Sequence, residues 1–249
     1  MITQNAKEKS AELGRWVQQA NYIVWFTGAG ISTESGLPDY RGPDGVWTKR
    51  DAGLPPPEVR VHPDQVQPNR AHLALVELER LGKADFLISQ NVDGLHLDSG
   101  FPASKLAELH GNSKLMLCSN CGAKMSLSES GWDQDHWGPG YRGLEKEPGQ
   151  PDCPKCAGRL YSSIVNFGDS LPEDELSAAY NHAQKCDLFV VLGSSLVVTP
   201  AADIPGEVHE AGARLVICNL GDTPYDDSCD LRISDAVGDV LDSVLAQLR

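Results

Sequence analysis

Four of the seven cysteines in this 249-residue sequence stand in two close pairs, and this spacing is typical of a metal site. In the pairs Cys118/Cys121 and Cys153/Cys156, two thiolates can reach one ion about 2.3 Å away. Together the pairs can form a closed tetrahedral shell of four sulfurs, which suits Zn²⁺ and leaves no position for a substrate. We therefore expect a structural zinc; redox-active pairs and chance spacing are the alternatives.

His110 is the best candidate for proton transfer, because an imidazole titrates near neutral pH. Gly111 follows it and suggests that a strand or helix ends there. A single histidine is more often structural than catalytic, and His96 is the competing candidate. The sequence thus predicts a histidine as general base, and its pattern alone does not decide between His110 and His96.

Glycines directly after the first apolar run predict a close approach of the backbone to a ligand. Gly28, Ala29 and Gly30 lie there, and a helix beginning after them would direct free N–H groups at a pyrophosphate. Thr33 replaces the third glycine of the dinucleotide fingerprint, and no acidic residue ends the next run, which disfavours an ordinary dehydrogenase. A plain strand-to-helix turn is the alternative.

Polar residues also follow other apolar runs. They are Gln90, Asn91 and Asp93 after one run, and Gly193, Ser194, Ser195 and Asn219 after two more. In open parallel sheets, ligands bind at the carboxyl ends of strands. Helix capping is the alternative role for these side chains.

The elements that must position these residues follow from hydrophobic periodicity. Short apolar runs at 22–26, 86–88, 188–192 and 215–217 predict buried strands. Helical spacing is found at 6–20, 71–81, 173–184, 201–211 and 239–248. Strands that alternate with helices predict an α/β fold with a parallel sheet. Residues 42–70 and 118–159 break this alternation and are expected to build a smaller lobe, with the order of 126–151 left open.

Composition excludes several classes. The chain has 21 Lys and Arg against 35 Asp and Glu, a net charge of −14 that argues against direct nucleic-acid binding. No apolar run approaches the roughly 20 residues of a membrane span, and no secretory signal is visible at the start. The cysteine pattern favours a reducing compartment, so we expect a cytoplasmic location.

These motifs, in this order, resemble the sirtuin family over about residues 14–240. The matching stretches are GAGIS (28–32), PDYRG (38–42), QNVDGLH (90–96), LHG (109–111), the four paired cysteines, GSS (193–195) and Asn219. GVWT (45–48) and LAELHGN (106–112) look most like the branch of mammalian sirtuins six and seven.

The resemblance implies a Rossmann-like parallel-sheet domain of residues 1–41, 84–117 and 160–249. It implies a smaller lobe of residues 42–83, a helical insertion, and 118–159, the zinc module. NAD as co-substrate and an acyl-lysine protein or peptide would meet in the cleft between the two. No direct nucleic-acid or membrane partner is expected, and the sequence does not predict the oligomeric state.

The resemblance also implies roles for individual residues. The catalytic residues would be His110, as general base, and Asn91. The cofactor-binding residues would be Gly28, Ala29, Gly30, Ser32, Asp39, Tyr40, Arg41, Trp47, Gln90, Asn91, Val92, Asp93, Gly193, Ser194, Ser195, Asn219, Leu220 and Val237. A peptide-pairing strand would contain Val165, Asn166, Phe167 and Gly168.

Three residues depart from the family pattern. Tyr40 stands where Phe is usual, Asn166 replaces a bulky aromatic residue, and Asp169 replaces Glu. We expect the protein to be active with Tyr40 at this position. We expect Asn166 and Asp169 to make the tunnel that binds the acyl-lysine wider or more polar.

The expected reaction is NAD-dependent deacylation of protein lysines, with deacetylation as its main form. It releases nicotinamide and O-acyl-ADP-ribose. The alternatives are an NAD glycohydrolase or ADP-ribosyl transferase on the same site, and a non-catalytic zinc-ribbon binding module.

Overall fold

The apolar runs form the strands of two sheets in the computed structural model, which describes residues 4–58, 61 and 65–249. Residues 1–3, 59–60 and 62–64 of the two expected domains lie outside that description. The strands are β1 Ile23–Thr27, β2 Phe86–Ser89, β3 Leu106–Glu108, β4 Leu115–Cys118, β5 Lys124–Ser126, β6 Leu160–Ser162, β7 Leu188–Leu192, β8 Arg214–Cys218 and β9 Leu231–Ile233.

The larger sheet is parallel throughout, as the sequence predicts, and has the strand order β3-β2-β1-β7-β8-β9. Every residue of β1, β2 and β7 is buried, which explains why these segments are continuous apolar runs rather than alternating ones. After β1 the chain adds β2 and β3 on one side, and then β7, β8 and β9 on the other. The order therefore reverses between β1 and β7, where open α/β sheets bind ligands.

Helices cover both faces of this sheet. The helices of the described residues are α1 Gln4–Gln19, α2 Val46–Asp51, α3 Arg70–Arg80, α4 Leu95–Asp98, α5 Leu127–Ser130, α6 Gln134–Trp137, α7 Glu173–Ala183, α8 Ile204–Glu210 and α9 Val237–Leu248. Helices α1, α3 and α9 enclose the core on one face, and α7 and α8 enclose it on the other. Within the described part of the chain, no helix combines the length and apolar character needed to cross a bilayer.

Helix α3 differs from its expected place in the smaller lobe, within 42–83. Its residues Leu75 and Leu78 are fully buried in the core that α1 and α9 share. The physical reason is that the apolar face of α3 needs a broad apolar partner, which α9 supplies with Val240 and Leu241. The Pro- and Gly-rich segment before α3 cannot supply such a surface.

The second sheet is antiparallel, in the order β5-β4-β6, and forms what we call the four-cysteine module, residues 115–162. Its own small core contains Met116, Met125, Trp132 and Leu160 beside the buried cysteines. Residues 115–117 and 160–162, which were expected in the large domain, thus belong to this sheet, because β4 pairs with both β5 and β6.

Candidate active site and metal centre

Three polar side chains that follow β1 and β2 form one hydrogen-bonded group, which we call the strand-end cluster. The Ser32 hydroxyl donates to Asp93 Oδ2 at 2.7 Å, and Asn91 Nδ2 donates to Ser32 Oγ at 3.2 Å. Asp93 Oδ1 also accepts from the Leu95 amide at 3.0 Å, at the start of α4. Asp93 therefore stabilises a helix start and also belongs to a polar cluster beyond the carboxyl ends of β1 and β2.

The glycines after β1 are required by a close backbone approach. Gly30 N donates to the carbonyl oxygen of Gly193 at 2.8 Å. A Cβ on Gly28 would lie 2.7 Å from Ser194 Cβ, and one on Gly30 would lie 2.8 Å from Gly193 Cα. The loop after β1 thus packs against the loop after β7 without space for side chains. The expected helix start is a 3₁₀ turn, Ala29–Ser35.

His110 lies immediately beyond β3, two positions past its last residue, and is half-buried. Its Nδ1 lies 2.8 Å from the carbonyl oxygen of Gln90. Since a carbonyl can only accept, Nδ1 carries the proton and Nε2 of the neutral ring keeps its lone pair. Burial lowers the pKa of His110, while the bond to Gln90 raises it. The ring is therefore held as a neutral base.

The competing residue, His96, is fully enclosed. Its Nε2 lies 2.9 Å from Thr27 Oγ1, and its ring packs 5.0 Å from that of His72. Burial holds the pKa of His96 well below its usual range. A ring that is 2% exposed cannot reach a substrate, so of the two competing histidines only His110 is accessible enough for the expected role of a base.

Gln90 connects this site to the loop after β7. Ser194 Oγ donates to Gln90 Oε1 at 2.6 Å. The side chain of Gln90 thus faces the serines while its carbonyl orients His110. Ser194 is buried and Ser195 is half-buried beside it.

The expected peptide-binding residues lie beside His110 but form a loop rather than a strand. Val165 N donates to the His110 carbonyl oxygen at 2.9 Å. Asn166 N and Nδ2 then donate to Asp169 Oδ2, at 3.2 and 3.4 Å, and this turn ends the extended backbone. Phe167 is 81% exposed, and Gly168 follows with a positive φ. In the described structure residues 165–168 thus lie in a loop that ends in the Asn166–Asp169 turn, and their pairing with a peptide stays a prediction.

The expected cofactor residues of 39–47 form an exposed aromatic group. Tyr40 packs 5.0 Å from Trp47, whose other ring contact is Phe167 at 5.6 Å. The Arg41 guanidinium lies 4.8 Å over the Trp47 ring and pairs with Asp51 at 3.1 Å. Exposed pairs of this kind contribute little free energy, so Arg41 can exchange Asp51 for a phosphate. Asp39 Oδ1 accepts from the Gly42 amide and shapes this loop.

Three of the remaining expected contact residues, Asn219, Leu220 and Val237, lie after β8 and β9, and the fourth, Val92, lies after β2. Asn219 Nδ2 donates to the Gly221 carbonyl at 2.8 Å, and Leu220 is exposed. Val237 is buried at the start of α9, and Val92 O accepts from Ser113 N. Sequence reasoning missed Arg232, which donates to the carbonyls of Asn219 and Gly221 at 2.6 Å each. No local pattern distinguishes this arginine from a surface residue.

The four paired cysteines form one cluster in the four-cysteine module. All four sulfurs lie within 4.8 Å of one another. The backbone amides of Cys121 and Asn120 point at the Cys118 sulfur and, together with the neighbouring thiols, lower the pKa of that thiol, which favours the thiolate that a metal needs. The same neighbouring thiols raise the pKa of Cys121. A Cβ on Gly158 would lie 2.8 Å from Cys118 Sγ, so the turn requires glycine. Four convergent sulfurs fit a structural Zn²⁺.

Comparison with known sequences places this geometry in context. Residues 57–200 match the Sir2 family. An Arabidopsis thaliana protein, "NAD-dependent protein deacetylase SRT1", is 40% identical over 240 residues, which cover 96% of this chain and 49% of that protein. "NAD-dependent protein deacetylase 1" of Bradyrhizobium diazoefficiens is 37% identical over 259 residues, which cover 97% of each chain. The chain spans about half the length of the plant relatives that it matches.

Solved structures give the same picture. The structure "Sir2-p53 peptide-NAD+" superimposes with a TM-score of 0.73 at 34% identity, covering 95% of this chain and 97% of that one. "Structure of Sir2Tm bound to a propionylated peptide" superimposes with a TM-score of 0.73 at 32% identity, covering 96% and 98%.

Proposed function

The chain belongs to the Sir2 family, and on this premise we propose that it removes acyl groups from protein lysines with NAD as co-substrate. We propose deacetylation as its main reaction. The observation that carries the proposal is the bond from His110 Nδ1 to the Gln90 carbonyl, which holds a neutral base beside the strand-end cluster. Relatives named as NAD-dependent deacetylases, and relatives solved with NAD or acylated peptides, support it.

NAD would supply an electrophilic ribose that loses nicotinamide and accepts the acyl group. The loop after β1, whose glycines pack directly against the loop after β7, would bind the pyrophosphate of NAD with its backbone N–H groups. Ser194 and Asn219, at the ends of β7 and β8, would hold the adenosine half. Arg41 would move from Asp51 to the phosphates.

The strand-end cluster would bind the carboxamide of nicotinamide. Asp93 Oδ2 now accepts from Ser32 and can accept from an amide N–H instead. Asn91 is buried beside it and can donate to the carboxamide oxygen or to a ribose hydroxyl. A buried, directional pocket of this kind favours loss of nicotinamide by stabilising a twisted carboxamide and excluding water.

His110 would take a proton from a ribose hydroxyl through Nε2. Its Nδ1–H stays on the Gln90 carbonyl throughout, so the ring needs no reorientation when it becomes charged. The acyl-lysine would lie along residues 165–168, which contact His110 through the bond from Val165 N. The acyl oxygen would thus be held close to the sugar, as this weak nucleophile requires.

The test is to incubate the protein with NAD and acetyl-lysine peptide and to identify every product by mass spectrometry. We expect nicotinamide, deacetylated peptide and O-acetyl-ADP-ribose in equal amounts. Free ADP-ribose formed at one rate with or without peptide would instead indicate an NAD glycohydrolase, and an ADP-ribosylated peptide would indicate a transferase. A flat calorimetric titration with NAD would favour the non-catalytic module.

A further inference from the structure

Glu108 lies two residues before His110, and its carboxyl group points away from solvent into a polar cluster. Glu108 Oε1 accepts from Asn112 Nδ2 at 2.8 Å. Asn112 is buried, with 2% of its surface exposed, and directly follows the turn after His110. The side chain of Glu108 thus connects the two ends of a five-residue stretch with the proposed base at its centre.

Asn112 is fixed from its other side as well. Its backbone N–H donates to Ser163 Oγ at 3.0 Å, and Ser163 Oγ donates to its carbonyl at 2.8 Å. Gly111 has a φ of 78°, and a side chain there would collide with the Ser163 carbonyl. The turn behind His110 therefore has no free space, and a shift of Asn112 would be transmitted to the ring.

A second contact leads from Glu108 to the four-cysteine module. Its backbone N–H donates to Glu175 Oε2 at 3.0 Å, at the start of α7. The other oxygen of Glu175 pairs with the Nζ of Lys124, which also lies 3.1 Å from Asp174 Oδ2. Lys124 belongs to β5 and follows the first cysteine pair by three residues. Contacts therefore continue from the module to Asn112. We call the series Lys124, Glu175, Glu108 and Asn112 the Lys124 relay.

The charges around Glu108 make Lys124 necessary. The negative charges of Glu175 in α7 and Asp93 in the strand-end cluster disfavour ionisation of the Glu108 carboxyl, and the positive charge of Lys124 opposes them. Burial, and then these two carboxylates, raise the pKa of Glu108 to about 7, against the lowering effects of Asn112 and Lys124. Removing Lys124 would leave Glu175 uncompensated beside a second, half-buried carboxyl group.

We propose that Glu108 is a positioning residue for His110, and that the Lys124–Glu175 ion pair holds it in place, so that docking of the four-cysteine module fixes the turn behind the base. The kinetic part of this inference rests on the proposed deacylase function. The structural part concerns only the orientation of the His110 ring.

The variants that test it are Lys124→Met, Glu108→Ala and Glu108→Gln. Lys146→Met is the matched control, because Lys146 pairs with Asp152 inside the same module but outside the relay. Glu108→Gln keeps an acceptor for Asn112 and should rescue most of what Glu108→Ala loses. Each variant is checked for zinc content and for its melting temperature.

The first readout is the NMR titration of the His110 imidazole, assigned with a His110→Ala sample. Lys124→Met and Glu108→Ala should change the pKa and the ring shifts of His110, and Lys146→Met should not. This readout needs no turnover, so it tests the relay even if the parent protein fails to deacylate any peptide, a result that would overturn only the proposed function.

The second readout is steady-state kinetics with NAD and acetyl-lysine peptide. We expect kcat to fall roughly ten- to a hundredfold in Glu108→Ala, since misplacement of a reacting group by about 1 Å has effects of this size. KM for NAD should stay close to the parent value, because Glu108 is linked to the proposed NAD-binding residue Asp93 only by charge and not by a hydrogen bond. If Glu108→Ala fails to fold, Lys124→Met carries the test against its control Lys146→Met.

The inference is overturned if Lys124→Met and Lys146→Met change the His110 titration equally. It is also overturned if a folded Glu108→Ala protein keeps the parent titration and kcat.

Discussion

The imidazole of His110 and the backbone carbonyl of Gln90 form a 2.8 Å hydrogen bond across the ends of two neighbouring strands, and this bond fixes which ring nitrogen can act as a base. β2 ends one residue before Gln90, and β3 ends two before His110. Parallel pairing of these strands brings the two residues together although 19 residues separate them in sequence. The proposed chemistry therefore depends on strand register.

Activity should fall at acid pH with an inflection below the usual imidazole value. Burial lowers the pKa of His110, so the neutral ring is present at and above neutral pH and is lost only as the pH drops through the lowered pKa. The logarithm of kcat/KM against pH checks this. His110→Ala should reduce kcat by about 10²–10⁴-fold, and His136→Ala, an exposed histidine of the module, should not. A flat acid limb down to pH 5 would refute the assignment.

Asp93→Asn should weaken inhibition by nicotinamide. The variant keeps an oxygen that can accept from the Leu95 amide, so α4 should still form. It loses the charged carboxylate that we propose to accept a hydrogen bond from the carboxamide N–H of nicotinamide. Inhibition of deacetylation by added nicotinamide measures this. Asp98→Asn is the control, because Asp98 lies at the end of α4 and its carboxylate pairs with Lys114 at the surface. Equal inhibition constants for Asp93→Asn and the parent would contradict the proposed pocket.

Cys153→Ser should lose zinc and destabilise the four-cysteine module. Structural zinc contributes apparent folding free energies of about 10–16 kcal/mol in small peptides, and three sulfurs hold the ion far less well than four. Metal analysis together with calorimetric melting checks this. Cys229→Ser is the control, since that thiol lies outside the cluster. A zinc-free Cys153→Ser protein that melts with the parent would show that the module needs no metal.

Gly30→Ala should reduce both stability and NAD binding. The new Cβ would lie 2.8 Å from the Gly193 backbone, so the loops after β1 and β7 would be forced apart, at a cost of about 1–3 kcal/mol. Urea unfolding and NAD calorimetry measure the two effects. Gly143→Ala is the control, because nothing lies within 4 Å of its added Cβ. Parent-like values for both quantities in Gly30→Ala would rule out the close approach.

Glu108→Gln should flatten the dependence of stability on pH. The pKa of Glu108 is about 7 in the folded protein against 4.5 as the ordinary value, so its contribution to stability is complete below pH 4.5 and is lost as the pH rises towards 7. Glutamine does not ionise and lacks this loss. Urea unfolding at pH 5 and pH 8 gives the comparison. An unchanged difference between the two pH values would place the titrating group elsewhere.

Local patterns predict the elements of this fold better than their assembly. The cysteine pairs and the runs that form β1, β2, β7 and β8 can be read from spacing and hydrophobicity. The helical period of α3 is equally clear, but its burial against α9 depends on contacts some 165 residues away in sequence. Such packing leaves no local signal.

The site residues show the same contrast between what local sequence predicts and what long-range contacts decide. His110 and His96 are equivalent by type and spacing, and only the burial of His96 against Thr27 separates them. The peptide-pairing role of residues 165–168 follows only from the family resemblance, and the Asn166–Asp169 turn within that loop has no signal in the hydrophobic pattern. No positioning role for Glu108 or Lys124 can be predicted from the sequence, because their connection through Glu175 exists only after the two sheets have docked.

The position of β1 between β2 and β7 also determines the order in which a growing polypeptide can assemble on the ribosome. β1 is made before its two neighbours, and one of these begins at residue 188, so the centre of the large sheet stays open until that strand has been made. All four cysteines and both partners of β4 precede that point. The nascent chain can therefore acquire its metal before the dinucleotide cleft exists.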